Sequence, residues 1–163
     1  ACRTACQRQN GLLPDESFIR FEEREIGKYP AVTVEHAPMQ CMHCEDAPCA
    51  AVCPTGAAHM GPDGIVTVDQ GRCIGCLYCM AACPYQVRVR NSETGAVDKC
   101  RFCTVSNFET GTEMCTCVTA CPTGVRIFGD LDDPDGELVK EINRTHAEPI
   151  GGSLTKSKVY YVR

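Results

Sequence analysis

Two runs of closely spaced cysteines in the middle of the chain constrain its fold more than any other feature. The first run begins at Cys41, reads CMHCEDAPCAAVCP and has the spacing C-x2-C-x4-C-x3-C-P. The second begins at Cys73, reads CIGCLYCMAACP and has the spacing C-x2-C-x2-C-x3-C-P. The second spacing is typical of thiolates that bind a [4Fe–4S] cluster. A chain with these runs is expected to owe much of its order to metal–thiolate bonds that tie distant segments together.

The fourth cysteine of each run predicts that the two runs are interleaved. In paired runs of this type, the first three cysteines bind one cluster and the fourth, which precedes proline, binds the cluster of the other run. The rule predicts two central clusters, one bound by Cys41, Cys44, Cys49 and Cys83 and the other by Cys73, Cys76, Cys79 and Cys53. Cys79 and Cys83 then bind different clusters. Because they are only four residues apart, even a fully extended chain leaves their Cα atoms at most about 14 Å apart. The two predicted clusters are therefore neighbours.

Two other uses of cysteine fit the sequence less well. Fifteen of the 163 residues are cysteine, a density that a small disulfide scaffold also reaches. An odd number of cysteines does not pair completely, and neighbouring C-x2-C thiols make strained bridges. Structural zinc sites use C-x2-C pairs but do not require a third ligand and then a fourth before proline. His43 lies inside the first run, but every expected cysteine is present, so no ligand is missing.

A second set of cysteines lies outside the central runs. Cys100 and Cys103 form a C-x2-C pair, and after thirteen residues a C-x3-C-P closure follows at Cys117 and Cys121. Cys6 ends a C-x3-C pair near the start of the sequence. The crossing rule predicts a third cluster bound by Cys100, Cys103, Cys117 and Cys6.

Cys2 and Cys121 point to a fourth cluster for which the sequence shows only two ligands. We expect the natural chain to continue upstream with a C-x2-C pair that supplies the other two. Three [4Fe–4S] clusters are thus complete in this sequence, and four are expected in the full-length protein. Cys115 is predicted not to be a ligand, because Cys117 has the correct spacing to Cys121.

A repeated closure predicts the fold class. The sequences CPTGA, CPYQV and CPTGV each end a cysteine run, which indicates an internal repeat. We predict an α+β fold of two interleaved bacterial-ferredoxin-like units with short β-hairpins and a short C-terminal helix. The outer unit, with a hairpin, comprises residues 1–40 and 92–133, the inserted inner unit residues 41–91, and the helix and tail residues 134–163.

Short alternating segments predict the strands. Apolar and charged residues alternate over 17–36 around a Gly–Pro break, which predicts a hairpin that we expect to cover the cluster core as a lid. A short strand is predicted at 65–68 after a Pro-Asp-Gly turn, and a β-ribbon with its turn at 93–95 follows the second run.

The end of the chain contains no cysteine and is predicted to be structural. Asp133 and Pro134 favour the start of a helix of about ten residues, and the final KVYYVR favours a strand. This tail is expected to pack either on a partner or across the outside of the cluster core.

The charge and motif content exclude several functions. A net charge of −5 disfavours nucleic acid or an anionic membrane surface as the main partner. No apolar run approaches the roughly 18 residues of a membrane span. No nucleophile triad, phosphate-binding glycine loop or dinucleotide fingerprint indicates an independent enzyme.

The motif order resembles a known family from Cys2 to about Asp133. The half-motif, the two central runs ending in CPTGA and CPYQVR, DKCxFC, and CPTGVRIFGDLDDP are similar to the four-cluster ferredoxin-type subunit of membrane-bound molybdopterin oxidoreductases. That family includes electron-transfer subunits of polysulfide, thiosulfate, tetrathionate and dimethyl sulfoxide reductases, and the ferredoxin component of nitrite-reduction complexes.

The resemblance implies a subunit without catalysis of its own. It would pass electrons along [4Fe–4S] clusters between a quinone-linked membrane anchor subunit and a molybdopterin-type catalytic subunit. Its partners would keep it at the membrane, with the extracytoplasmic (periplasmic) face favoured over the cytoplasmic one. The alternative is a freestanding soluble polyferredoxin that carries electrons between enzymes.

Replacing Cys83 with serine tests the crossing of the fourth cysteine. Since Cys83 is predicted to bind the cluster of the first run, Cys83→Ser is expected to damage that cluster more than the cluster of its own run. Electron paramagnetic resonance distinguishes the two. Loss of only the signal from the Cys73, Cys76 and Cys79 cluster would refute the crossing.

Overall fold

The chain folds into short helices and four small antiparallel sheets in the part that the structure, a computed structural model, describes, namely residues 1–104 and 114–162. The helices are α1 (Cys2–Gln9), α2 (Pro48–Ala51), α3 (Tyr78–Ala81), α4 (Thr116–Thr119) and α5 (Glu137–Thr145), with a 3-10 helix at Gly152–Leu154. The strand pairs are β1 (Arg20–Lys28) with β2 (Ala31–Met39), β3 (Ala58–Met60) with β4 (Val66–Val68), β5 (Val89–Arg90) with β6 (Val97–Asp98), and β7 (Glu148–Pro149) with β8 (Tyr160–Tyr161). This is the predicted α+β class.

The internal repeat of the sequence is also a repeat of the backbone. The third residue after each closing cysteine has a left-handed backbone, with φ of 63° at Gly56, 50° at Gln86 and 65° at Gly124. The N–H of each donates to the carbonyl of its closing cysteine, at 3.2, 3.2 and 3.4 Å respectively. Each closure is therefore the same tight turn, although only two of the three use glycine, the residue that adopts this φ at least cost.

The short helices pack in two pairs. Helix α2 contacts α3, and α1 contacts α4. Each of these helices carries a cysteine, and a second cysteine lies four residues along the chain, one helical turn away. The first pair thus comes from the two central runs, and the second joins the start of the sequence to the third cysteine group.

The long hairpin β1–β2 is present, but it is not a lid. Phe21 lies opposite Pro38 and Gly27 lies opposite Val32, and nearly every residue between them is exposed. Only its base, at Met39, is buried. The expectation of a lid is wrong because glutamate and arginine side chains occupy both faces of the ribbon, and burying either face would desolvate unpaired charges.

The two shorter predicted turns are confirmed, and a polar side chain closes each. Asp63 Oδ1 accepts the N–H of Ile65 at 3.0 Å in the β3–β4 turn. Asn91 Oδ1 accepts the N–H groups of Glu93 and Thr94 at 3.1 and 2.7 Å in the β5–β6 turn. These interactions are those for which aspartate and asparagine are favoured in turns.

Thiols make up much of the core. Eight cysteines are buried, namely Cys6, Cys41, Cys44, Cys49, Cys79, Cys83, Cys100 and Cys115. The larger apolar cluster adds Phe18, Ile19 and Met42, and a smaller one contains Val66 and Val97. The interior is therefore organised around the sulfur atoms, with apolar side chains around them.

The tail packs across the outside of this core, the second of the two places expected for it. The Lys158 N–H donates to the Met42 carbonyl at 2.9 Å, and the Glu45 N–H donates to the Lys156 carbonyl at 3.1 Å. Helix α5 begins at Glu137, later than predicted, because Asp133 forms a turn in which its Oδ1 accepts the Asp135 N–H at 3.0 Å.

Tyr85 fastens the tail to the core. Its hydroxyl donates to the Ile150 carbonyl at 3.0 Å and lies 2.5 Å from Thr155 Oγ1. Because a carbonyl only accepts, the tyrosine proton goes to Ile150 and the Thr155 hydroxyl donates to Tyr85. Thr155 is 3% exposed, so water does not replace a lost partner there.

Tyr85→Phe is expected to loosen the tail. It leaves the Ile150 carbonyl without the Tyr85 donor and removes one of the interactions of the Thr155 hydroxyl, which also hydrogen-bonds with Cys44, at a cost of about 1–3 kcal/mol for a buried group. Hydrogen–deuterium exchange of the peptide containing Lys158 should accelerate roughly tenfold or more. Tyr29→Phe is the control, since Tyr29 is 93% exposed and should leave the rate unchanged. Equal rates in both variants would contradict this role of Tyr85.

Candidate cluster-binding sites

The first candidate site is a cavity lined by cysteines from both central runs. Its four thiols belong to Cys41, Cys44, Cys49 and Cys83. The space between atoms at this site is about 330 Å³, including the open solvent at its mouth, and the remaining lining is mostly apolar, with Met42 and Val66 among it. Three of the four cysteines come from the first run and Cys83 comes from the second. The structure thus brings together the four residues that the sequence grouped.

The second candidate site is the reciprocal of the first. Its thiols belong to Cys73, Cys76, Cys79 and Cys53, and the space between its atoms, open solvent included, is about 320 Å³. Here the second run supplies three cysteines and the first run supplies Cys53. Two neighbouring cavities of nearly equal volume therefore exchange their fourth cysteines.

The cysteines of each cavity surround a space. Among residues 1–104 and 114–162, no three histidine, cysteine or carboxylate side chains converge closely enough to bind a single metal ion. All fifteen cysteines are free of disulfide bonds. Each cavity therefore has four separate thiols around one space. Four cysteine sulfurs are the donor set of a [4Fe–4S] cluster.

A third group of thiols lies where α1 meets the third cysteine group. Burial, together with the nearby Cys117 and Cys103, raises the pKa of Cys6 to about 12. Burial also raises the pKa of Cys100, which lies close to both Cys41 and Cys6. Cys6 is therefore near Cys100, Cys103 and Cys117, the set predicted for a third cluster.

Cys115 is a further thiol at this third group. It is 2% exposed, and its thiol donates to the Phe102 carbonyl at 3.1 Å. The neighbouring Cys103 and Cys117 thiols, together with burial, raise its pKa. The interaction between Cys115 and Cys117 lowers the pKa of Cys117 to about 7. Cys115 thus remains a protonated thiol beside a more acidic neighbour.

Cys2 begins α1, and Cys121 lies just beyond the end of α4. Cys2 precedes Cys6 by one turn of α1, and Cys121 follows Cys117 by one turn at the end of α4. The Thr123 hydroxyl and the N–H groups of Thr123, Val125 and Arg126 lower the pKa of Cys121 to about 7. This thiol is therefore prepared for the anionic form.

Backbone N–H groups point at the sulfurs in a repeated pattern. Burial opposes ionisation of Cys53, but hydrogen bonds from the N–H groups of Ala58, Thr55 and Ala57 lower its pKa. These donors are two, four and five residues beyond the cysteine, the same offsets as around Cys121. The Ala58 N–H lies 3.3 Å from Cys53 Sγ. The closing turns at Cys53 and Cys121 are thus built to stabilise a thiolate.

The C-x2-C pairs share a second backbone feature that sequence reasoning missed. The residue before the second cysteine has a left-handed backbone in all three pairs, with φ of 45° at His43, 66° at Gly75 and 52° at Phe102. The N–H groups of His43 and Phe102 donate to the first cysteine of their own pairs, Cys41 and Cys100. Such turns form concave N–H nests that bind anions, iron–sulfur groups among them. Of these three residues, only Gly75 indicates a left-handed backbone from the sequence, because glycine adopts a positive φ at least cost.

Two buried cations complete the sites, and sequence reasoning did not find either. Arg88 is 5% exposed and Lys99 is fully buried, yet neither forms an ion pair with a carboxylate in the part of the chain that the structure describes. Arg88 Nη2 donates to Cys49 Sγ at 2.8 Å. Lys99 Nζ donates to the Val66 and Cys100 carbonyls.

These cations fit an anionic occupant. Isolated buried charges are very costly, and the groups beside these two that can carry negative charge are thiols. Burial would lower the pKa of Arg88, but Cys49 and Cys79 outweigh burial and raise it. Burial lowers the pKa of Lys99, and the Cys41 and Cys100 thiols oppose that shift. An oxidised [4Fe–4S] cluster with its four thiolates carries a charge of about −2. The two buried cations would stabilise such a charge.

His43 links the first run to the third cysteine group. It is fully buried, and its ring stacks on Phe102 with centroids 3.8 Å apart. Its Nδ1 accepts the Val66 N–H at 3.2 Å, so this nitrogen is not available to a metal. Burial lowers the pKa of His43 well below its usual value. The ring is therefore neutral and acts as a packing surface between the two groups.

No helix in the described part of the chain has both the length and the apolar character to cross a bilayer.

Comparison with known proteins points to one class. Residues 32–131 match the family described as "4Fe-4S dicluster domain". The B component of polysulfide reductase from Wolinella succinogenes is 40% identical, over 99% of this chain and 86% of that protein. Thiosulfate reductase electron transfer subunit PhsB of Salmonella typhi is 42% identical, over 83% and 71%. The B component of sulfite dehydrogenase from Allochromatium vinosum is 39% identical, over 85% and 66%.

Gly75→Ala tests the turn that presents the second cavity. The variant places a Cβ at left-handed φ and 2.8 Å from the Gly95 carbonyl oxygen, so the loop must move and stability should fall by about 1–3 kcal/mol. The thermal unfolding midpoint measures the loss. Gly71→Ala is the matched control, because its Cβ would meet only Asp69 Oδ1 at 3.4 Å. Equal midpoints in the two variants would show that the turn tolerates a side chain.

Proposed function

This chain is a member of the family of 4Fe–4S dicluster domains, and on this premise we propose that it relays electrons through [4Fe–4S] clusters in a larger oxidoreductase complex. Its role is that of an electron-transfer subunit, placed between a quinone-linked membrane subunit and a molybdopterin-type catalytic subunit. The observation that carries the proposal is the pair of neighbouring four-cysteine cavities that exchange their fourth cysteines. Relatives named as a component of polysulfide reductase and as an electron transfer subunit of thiosulfate reductase support it.

The proposed ligands follow the thiol groups. Cys41, Cys44, Cys49 and Cys83 bind one cluster, Cys73, Cys76, Cys79 and Cys53 bind the second, and Cys100, Cys103, Cys117 and Cys6 bind the third. Cys2 and Cys121 are two ligands of a fourth. Cys115 is not a ligand, and two observations support this: Cys117 has the correct spacing to Cys121, and the Cys115 thiol donates to the Phe102 carbonyl.

The proposed arrangement makes one series of cofactors. The clusters supply one-electron redox chemistry, and the protein holds them close together and sets their potentials. The two cavities are adjacent because α2 contacts α3. Cys100 lies close to both Cys41 and Cys6, so the third thiol group is next to the first cavity. N–H groups aimed at the sulfurs favour the reduced state, and the apolar lining keeps water out.

We assign the helix pairs to two interleaved units. The inner unit, 41–91, contains α2 and α3, and the outer unit, 1–40 with 92–133, contains α1 and α4. The identical closing turns and the matching N–H donors of Cys53 and Cys121 support this division. Residues 134–163 form the third part, a helix and a tail.

One end of the cofactor series reaches the surface at the second cavity. Cys76 is exposed, and Ile74 and Tyr78 beside it are 66% and 63% exposed. An exposed apolar patch next to a redox centre suits the docking of a partner subunit. Such partners would keep the protein at the membrane, on its extracytoplasmic (periplasmic) face in our proposal.

Anaerobic affinity purification from native cells tests the function. The protein is expected to co-purify in fixed stoichiometry with a large molybdenum-containing subunit and a membrane subunit. Iron analysis should give about four atoms per cluster, hence about sixteen per chain for four clusters or about twelve for three. Elution as a single iron-containing chain would favour a freestanding carrier instead. Purified protein without iron would overturn the cluster assignment altogether.

A further inference from the structure

Arg88 occupies a position that the cluster assignment alone does not explain. Its guanidinium is 5% exposed and has no carboxylate partner among the described residues. Nη2 donates to Cys49 Sγ at 2.8 Å. Nη1 is buried and has no hydrogen-bond partner in the described chain. A buried charge without a partner lowers the stability of the folded state strongly unless anionic groups lie close to it.

The surroundings of Arg88 belong to both central cavities. Arg88 lines the first cavity together with Cys49 and Cys83. The same guanidinium also interacts with Cys79, whose thiol lines the second cavity. Cys49 and Cys79 both lie in the small apolar cluster with Val66 and Val97. Arg88 is therefore at the junction of the two cavities.

We propose that Arg88 is a shared potential-setting residue that stabilises the reduced states of both central clusters. The inference rests on the proposed function, because it assigns a cluster to each cavity. Adding one electron to either cluster makes its charge more negative, and the neighbouring cluster opposes this by Coulomb repulsion. A permanent cation at the junction offsets that repulsion for both clusters at once. No proton transfer is needed, since guanidinium stays charged throughout.

Arginine suits this place better than lysine would. The planar guanidinium presents several N–H donors in fixed directions. One of them can therefore donate to a sulfur of the first cavity while another stays available to the second cavity. Cys49 Sγ occupies Nη2, and the unpartnered Nη1 remains for the rest of the occupied site. The raised pKa of Arg88 agrees with an anionic environment.

The test compares reduction potentials in holoprotein variants. Redox titrations followed by electron paramagnetic resonance are made on wild type, Arg88→Gln, Arg88→Lys and Arg90→Gln. The variants Cys83→Ser and Cys53→Ser, each lacking one proposed ligand, assign the two central signals beforehand. Arg90 is the matched control, because it lies two residues further along, carries the same charge and is exposed.

Arg88→Gln is expected to lower both central potentials together. A tenfold or greater fall in each reduction equilibrium constant corresponds to about 59 mV or more for a one-electron couple. The signal of the Cys100 cluster should shift less than either. Arg88→Lys keeps the charge but loses the fork, so both central potentials should fall by a smaller amount. Arg90→Gln should match wild type.

Three results would overturn the proposal. The first is a shift of only one central cluster, and the second is unchanged potentials in both Arg88 variants. The third applies if Arg88→Gln binds less iron than wild type: Arg88→Met, which also removes the charge but fills more of the space, then decides, and wild-type potentials in both of its central clusters refute the role. A wild-type protein without [4Fe–4S] signals would instead refute the proposed function, so the two failures are distinguishable.

Discussion

The structure depends on one constraint, which is that the closing cysteine of each central run reaches the cavity of the other run. Cys53 and Cys83 lie just beyond α2 and α3, so this exchange requires the two short helices to lie against each other. The helices have only four residues each and are too short to be stable alone. Their geometry comes from the turns and thiols around them, and the same arrangement recurs where α1 meets α4.

Buried thiols would be an electrostatic problem if they stood alone. Burial raises the pKa of Cys41, Cys44 and Cys79, which opposes the thiolate form that binds metal. Two kinds of group in the fold oppose this effect of burial. They are the N–H donors at the closing turns, as at Cys53, and the buried cations Arg88 and Lys99. Both kinds of group favour negative charge, so the sites are prepared for an anionic cofactor before any partner subunit is considered.

Local patterns predicted the elements whose causes are local. The turns at Gly64 and Gly95 were predicted correctly, since left-handed positions there need glycine. The expectation that the hairpin β1–β2 covers the core as a lid was wrong. The alternation of its residues predicts two paired strands, but it does not predict whether those strands pack on the core. The left-handed backbone at His43 and Phe102 was missed because neither residue prefers that conformation. Packing decides it there, since the two rings stack on each other.

The sequence by itself predicted which cysteines line each of the two central cavities, because ligand spacing and the proline after each fourth cysteine limit where a short chain can go. It also determined the α+β class and the repeated closing turn. Only the tertiary structure decided the direction of Arg88. In the alternation of Val87, Arg88, Val89 and Arg90 both arginines look equally external, yet Arg90 is exposed and Arg88 is buried. The physical reason is the Cys49 sulfur, 39 residues away in the chain: it accepts a hydrogen bond from the Arg88 guanidinium, and no local pattern encodes such a contact.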